Sequence, residues 1–182
     1  MSVLIVLYDG FTEFEYQIPV LALHHLGIPF EAVGLDGPDV TGMIGLRATT
    51  TRTLAEVDPE AFSALLLPGV DRAERERVLA SDRLMAAIRS FGSAGKPVVA
   101  VCAAPTLLGR AGVLRGRRFC SDLAAHPAFE HAIRVEAPAV RDGHVITGLG
   151  SRIFYVTALL IEALAGEEHA TAYRSWAGIA CP

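Results

Sequence analysis

Cysteine is scarce in this chain: its three copies, Cys102, Cys120 and Cys181, form no C-x-x-C pair and leave an odd count. A disulfide framework is not expected from such a set, and a reducing, cytoplasmic setting fits it best. No metal-ligand spacing connects the six histidines to these thiols, so no metal is expected. Strong charge is missing as well. The net charge is −4 and charged residues make up 20%, too little to suggest a polyanion or an acidic membrane as partner. Arg115, Arg117 and Arg118 form only a short basic run, which reads as a solvated turn and not as a nucleic-acid site. No apolar stretch is long enough to span a membrane. The first strand-like run, residues 3–7, follows no basic leader or cleavage site, so a signal peptide is not expected. With no internal repeat, low-complexity tract or linker, the 182 residues are read as one domain, 1–182, able to bury a substantial core.

The chain does hold an excess of apolar residues, 52%, as expected of strands buried on both faces under covering helices. Strand-like runs at 3–7, 30–35 and 62–67 alternate with helical segments at 12–26, where Pro19 is expected to make the first turn irregular, and from Ser81 to about 94. Residues 40–53, rich in Gly and Thr, predict a hairpin-like excursion, and 71–77 a solvated helix. Further on come a short strand at 118–121, a short helix opened by His126-Pro127, and strands 135–140 and 144–147 around the turn Arg141-Asp142-Gly143. A last long apolar helix is expected from about 152 to 165, stopped by Gly166. This order predicts an α/β fold with a doubly wound, mostly parallel sheet sandwiched by helices, with sites at the carboxyl ends of the strands.

One stretch stands out. The β-branched run Val98-Val99-Ala100-Val101 ends abruptly in Cys102, followed by Ala103-Ala104-Pro105 and an apolar segment to Gly112. It reads as a buried strand, a sharp turn and a helix whose first turn accepts Pro105. A thiol there would sit at a helix N-terminus, where dipole and free amides favour the thiolate, in the manner of a nucleophile elbow. The plainer alternative is a cysteine packed as a small hydrophobe at a strand end.

Glu15 has two readings. Thr12-Glu13-Phe14-Glu15 fits a capping box, with Thr12 as N-cap, and Glu13 is expected to be exposed. Alternatively, Glu15 lies beside Cys102 at the sheet's carboxyl edge, where it could act as general acid or base. Pro68-Gly69-Val70 could offer backbone N–H groups to an oxyanion near Cys102, or be an ordinary strand-to-helix turn. His126 could orient the thiolate or donate to substrate, or simply begin a helix. His131 is less attractive, as are His24, His25, His144 and His169. Cys120 is expected in the core and Cys181 at the surface. Gly148-Leu149-Gly150, with Ile153 in place of a third glycine, is a poor dinucleotide fingerprint and predicts no nucleotide cofactor.

Taken together, the strand to Asp9-Gly10, Glu15-x-x-Ile18-Pro19, Leu67-Pro68-Gly69 and Ala100-Val101-Cys102-Ala103-Ala104-Pro105 resemble the ThiJ/PfpI superfamily. Ala125-His126-Pro127, the Arg141-Asp142-Gly143 turn and Ile161-Glu162-Ala163-Leu164 extend the resemblance over nearly the whole chain. That superfamily includes the parkinsonism-linked glyoxalase/deglycase, isocyanide hydratases and intracellular peptidases, on a flavodoxin-like fold akin to class I glutamine amidotransferases. The resemblance implies Cys102 as nucleophile, Glu15 as its proton-holding partner, and backbone groups at Gly69 and Ala103 as oxyanion donors. Val70 replaces the second glycine of the usual Pro-Gly-Gly turn, and His126 matches the His-Pro of deglycase-like members, although an arginine of those members is missing near Thr147-Gly148-Leu149. Ala103 stands where peptidase-type members carry histidine, which argues against a protease. Glu15 stands where hydratase-type members usually carry aspartate. The implied function is a cofactor-independent glyoxalase- or deglycase-like enzyme acting on a small electrophilic carbonyl, working as a homodimer. The alternatives are an isocyanide hydratase-like enzyme, or a redox-sensing, stress-protective protein using oxidised Cys102.

Overall fold

The computed structural model describes residues 1–180; Cys181 lies outside them. Its centre is a six-stranded sheet of order β2-β1-β5-β6-β10-β9, formed by β1 (Val3–Leu7), β2 (Phe30–Gly34), β5 (Ala64–Leu67), β6 (Val98–Val101), β9 (Ala139–Asp142) and β10 (Val145–Gly148). Neighbours pair in parallel except β9, which runs antiparallel to β10. The expected doubly wound, mostly parallel sheet is therefore present. Every residue of β1, β5, β6 and β10 is buried, because helices cover both faces. Burying each of their Val, Leu and Ile side chains contributes roughly 1.5–3 kcal/mol.

The helices are α1 (Glu13–His25), α2 (Arg75–Leu79), α3 (Asp82–Ser93), α4 (Pro105–Arg110), α5 (Ile153–Ala165) and α6 (Glu167–Ala177). Ser81 caps α3, its Oγ accepting from Leu84 N at 3.3 Å. Pro19 lies buried inside α1 without ending it, so the expected irregular first turn gives way to one continuous helix. Helix α1 closes where Gly27 N donates to the His24 carbonyl at 3.0 Å. The solvated helix expected at 71–77 is shorter and later, and α4 stops at Arg110. Helix α6 was not expected. After Gly166 it packs Ala170 and Tyr173 against Ala22, Ala158 and Ile161, and its own sequence is too polar to announce that face.

Smaller pieces frame the carboxyl edge. Strands β3 (Asp39–Thr41) and β4 (Arg47–Thr49) form the expected hairpin. β7 (Arg118–Phe119) pairs in parallel with β8 (Ile133–Arg134), and a 3-10 turn spans Pro127–Phe129. Among the described residues, no helix is long and apolar enough to cross a membrane.

Candidate active site

Three strand ends meet at Cys102. Strand β6 delivers the residue, β5 delivers Pro68-Gly69, and β10 leads into Gly148-Leu149-Gly150. Cys102 adopts φ +60°, alone in this among the described non-glycine residues, the left-handed conformation of a sharp strand-to-helix turn. Such a residue is strained by roughly 1–3 kcal/mol and persists only if its surroundings hold it. Here Cys102 N donates to the Gly148 carbonyl at 2.9 Å. Its own carbonyl accepts from Ser121 Oγ at 2.6 Å and from Asp122 N at 3.1 Å.

Glu15 projects from the first turn of α1 and is buried, 1% exposed. Its Oε2 accepts from Gly69 N at 2.6 Å. The capping box is not formed: Thr12 makes no side-chain cap bond, because the Glu15 side chain turns into the sheet edge. Glu13 is also corrected. It is buried, and its Oε1 accepts from Ile44 N at 2.9 Å, fastening the β3–β4 hairpin to α1. Burial raises the Glu15 pKa to about 7; Gly69 N–H and the Cys102 thiol lower it, and the Asp122 charge adds to the rise. Since Oε2 is engaged as an acceptor, the proton of neutral Glu15 belongs on Oε1. A Cβ on Gly150 would overlap that oxygen and would lie 3.2 Å from both Asp122 Oδ2 and Cys102 Cβ. The glycine is what lets these groups converge.

At Cys102 the surroundings oppose the helix N-terminus expected to favour the thiolate. Burial pushes the Cys102 thiol well up, with the charges of Glu15 and Asp122 and a hydrogen bond to Asp122 adding to it, while only the Ala103 N–H opposes. A helix N-terminus contributes about 0.3–1 kcal/mol, and α4 is only six residues long. Burial and the two carboxyl groups act against it.

Gly69 and Ala103 were expected as oxyanion donors. Gly69 N–H is committed to Glu15 instead, so its part is to orient the carboxyl. Val70 forms an isolated antiparallel bridge with Phe11. The flanking bonds run from Thr12 N to the Gly69 carbonyl, 3.0 Å, and from Asp71 N to the Gly10 carbonyl, 2.8 Å, leaving Val70 N–H out of both. Ala103 N–H is directed at the sulfur. His126 is placed elsewhere: its Nδ1 accepts from Ala128 N at 3.2 Å, capping the 3-10 turn, and its ring meets Phe129 edge-on at 5.9 Å. It lines a cavity of about 700 Å³ to which neither Cys102 nor Glu15 contributes. Cys120 is buried in the core, its sulfur donating to the Thr147 carbonyl at 3.4 Å; burial raises its thiol pKa to about 11.

Sequence reasoning missed Tyr8, Asp122 and Gly150. Buried Tyr8 donates its hydroxyl to the Pro68 carbonyl, tying the end of β1 to the turn that carries Gly69. Asp122 follows directly on the short strand-like run at 118–121, and an acidic residue at a strand exit was the available signal. Gly150 was read only as part of a failed nucleotide motif. Among the described residues, no cluster of three or more His, Cys, Asp or Glu side chains is arranged to hold a metal ion.

The sequence matches the model of the DJ-1/PfpI family over residues 1–163. It is 33% identical over 174 residues to Protein dj-1beta of Drosophila melanogaster, covering 92% of this chain and 91% of the relative. It is 30% identical over 149 residues to Deglycase TK1284 of Thermococcus kodakarensis, covering 81% of this chain and 89% of that one. The crystal structure of Drosophila melanogaster DJ-1beta superposes with a TM-score of 0.86 at 27% identity, over 99% of this chain and 98% of its own.

Proposed function

Because this chain belongs to the DJ-1/PfpI family, we propose that it is a cofactor-independent, cysteine-dependent enzyme on small reactive carbonyls, of glyoxalase or deglycase type. The observation that carries this reading is the buried Glu15 carboxyl with a pKa of about 7, one oxygen held by Gly69 N–H and the other facing Cys102. A carboxyl with a pKa near 7 can both give and take a proton at neutral pH. The name of the Thermococcus relative, Deglycase, supports the same class.

With methylglyoxal, the Cys102 thiol gives its proton to water, its sulfur adds to the aldehyde carbon, and the carbonyl oxygen takes the proton of Glu15 Oε1, giving a hemithioacetal. Glu15, now a carboxylate, takes the proton from the former aldehyde carbon and returns it to the neighbouring carbon, while the proton of the new hydroxyl passes to the former ketone oxygen. The product is a thioester of a hydroxy acid. Water then cleaves the thioester and frees the thiol, so no external oxidant or reductant is consumed. Val70 and Ala103 N–H groups serve the developing oxyanion, and His126 holds its turn without entering the chemistry.

The proposed oligomer is a homodimer. Phe14 and Leu21 on α1 lie exposed, with Met43, Ile44 and Leu46 on the hairpin that Glu13 fastens to that helix, an apolar face suited to a second copy.

The test is consumption of methylglyoxal without added thiol or metal, by wild type beside Cys102→Ser. Turnover by wild type that disappears in the variant is expected. Wild-type protein with a confirmed reduced thiol that leaves methylglyoxal untouched would sink the reading.

A further inference from the structure

The peptide that joins Cys102 to Ala103 is planar and trans, so its carbonyl and its N–H point in opposite directions. Whatever holds the Cys102 carbonyl on one side therefore aims the Ala103 N–H on the other. That N–H is directed at the sulfur. The carbonyl finds no donor in α4, because Pro105 has no N–H and Thr106 N donates to Ala103 instead. The loop after β7 holds it: Ser121 Oγ donates to it at 2.6 Å and Asp122 N at 3.1 Å. Leu123 N donates to the Ser121 oxygen at 3.2 Å, which leaves the one hydroxyl proton turned to Cys102. Ser121 is fully buried and fixed from both sides. Before it, Cys120 N donates to Thr147 Oγ1 on β10 at 3.1 Å. Around it, the Arg134 guanidinium of β8 donates to the carbonyls of Ser121, at 3.1 Å, of Leu123, and of Ala124, at 3.2 Å.

We propose that Ser121 is a positioning residue: through the Cys102–Ala103 peptide, its hydroxyl aims the Ala103 N–H at the oxyanion that develops beside Cys102. This assignment rests on the carbonyl reading above and deepens it. Cys102, at φ +60°, has a conformation that only its surroundings can maintain. Without the hydroxyl, Asp122 N alone retains the carbonyl, and the peptide plane is free to swing about its flanking bonds. Each swing turns the Ala103 N–H off its target, and an oxyanion donor works only when aimed in advance at the place where charge develops. Ser121 carries no charge of its own. The charged and titratable groups that face the sulfur are Glu15 from α1, Tyr8 at the end of β1 and Asp122 from the loop, and all remain when Ser121 is replaced.

Ser121→Ala removes the donor and little volume. Two rates are read at pH 7: methylglyoxal turnover, resolved into kcat and KM, and alkylation of Cys102 by iodoacetamide, followed by mass on the peptide that carries it. The kcat is expected to fall about 10-fold or more with KM unchanged, since the oxyanion exists only beyond the ground state. Alkylation is expected to slow by about 3- to 10-fold, as an N–H that stabilises the thiolate turns away. Slowing on both counts is the signature, because a loop that had merely loosened would uncover the sulfur and speed alkylation. Arg134→Met, a change at an exposed residue that frees the loop carbonyls, should move both rates the same way and less far. It decides the matter if Ser121→Ala does not fold. Unchanged kcat, a rise in KM alone, or faster alkylation in a folded variant would overturn the assignment. If the wild type leaves methylglyoxal untouched, the carbonyl reading fails, and the alkylation rate alone decides whether Ser121 aims the Ala103 N–H.

Discussion

Burial of Glu15 couples the stability of the fold to pH. A carboxyl in the unfolded chain ionises near 4.5, whereas in the fold it does so at about 7. Between those values the folded form keeps a proton that the unfolded form has released, so stability is greatest at the acid side and falls as pH rises through this window. Over the shift the loss amounts to about 3 kcal/mol. Wild type is therefore expected to lose urea resistance from pH 5 to pH 8, and Glu15→Gln to lose much less over the same range. The same variant should reduce turnover by about 10²-fold or more. Equal pH dependence in the two proteins would show that Glu15 ionises normally. Thr12 and Glu15 also show how a local motif can mislead: a capping box was legible, but Gly69, 54 residues away, supplied the N–H that won the carboxyl.

At the scale of elements, the site depends on how closely strand β10 and its exit approach their neighbours. A Cβ on Gly148 would overlap Val156 Cγ2 of α5, and one on Gly150 would strike the Glu15 carboxyl. Gly148→Ala is thus expected to cost about 1–3 kcal/mol by forcing strand and helix apart, read as a lower urea midpoint with an unchanged slope. The strands were readable from their apolar runs, and the elbow from the abrupt change from β-branched to small residues at Cys102. Helix α6 was not, because a short polar helix is set by the groove it fills: Ala170 is fully buried only through packing on α1 and α5.

For the whole molecule, the exposed apolar face of α1 and the hairpin is where the proposed dimer is tested. Ile44 is 81% exposed at its tip, where an isolated protomer gains nothing from it. Ile44→Asp is expected to leave the fold intact and to convert a dimer into a monomer in sedimentation velocity. A wild type that sediments as a monomer at micromolar concentration would remove the dimer from the proposal.

Periodicity and turn chemistry are properties of neighbouring residues, and they determined the alternation of strands and helices, the parallel sheet, and the elbow that presents Cys102. The proximity of Glu15 to that cysteine was read as one of two possibilities. Which one holds was decided only in three dimensions, where α1, β5 and β10 bring groups distant in sequence to one point. Tertiary structure likewise set what acts on the Cys102 thiol, because desolvation and the charges of Glu15 and Asp122 depend on distance in space. A short helix behind a cysteine suggests a thiolate from sequence; burial and two carboxyl groups brought near it by the fold push the thiol the other way.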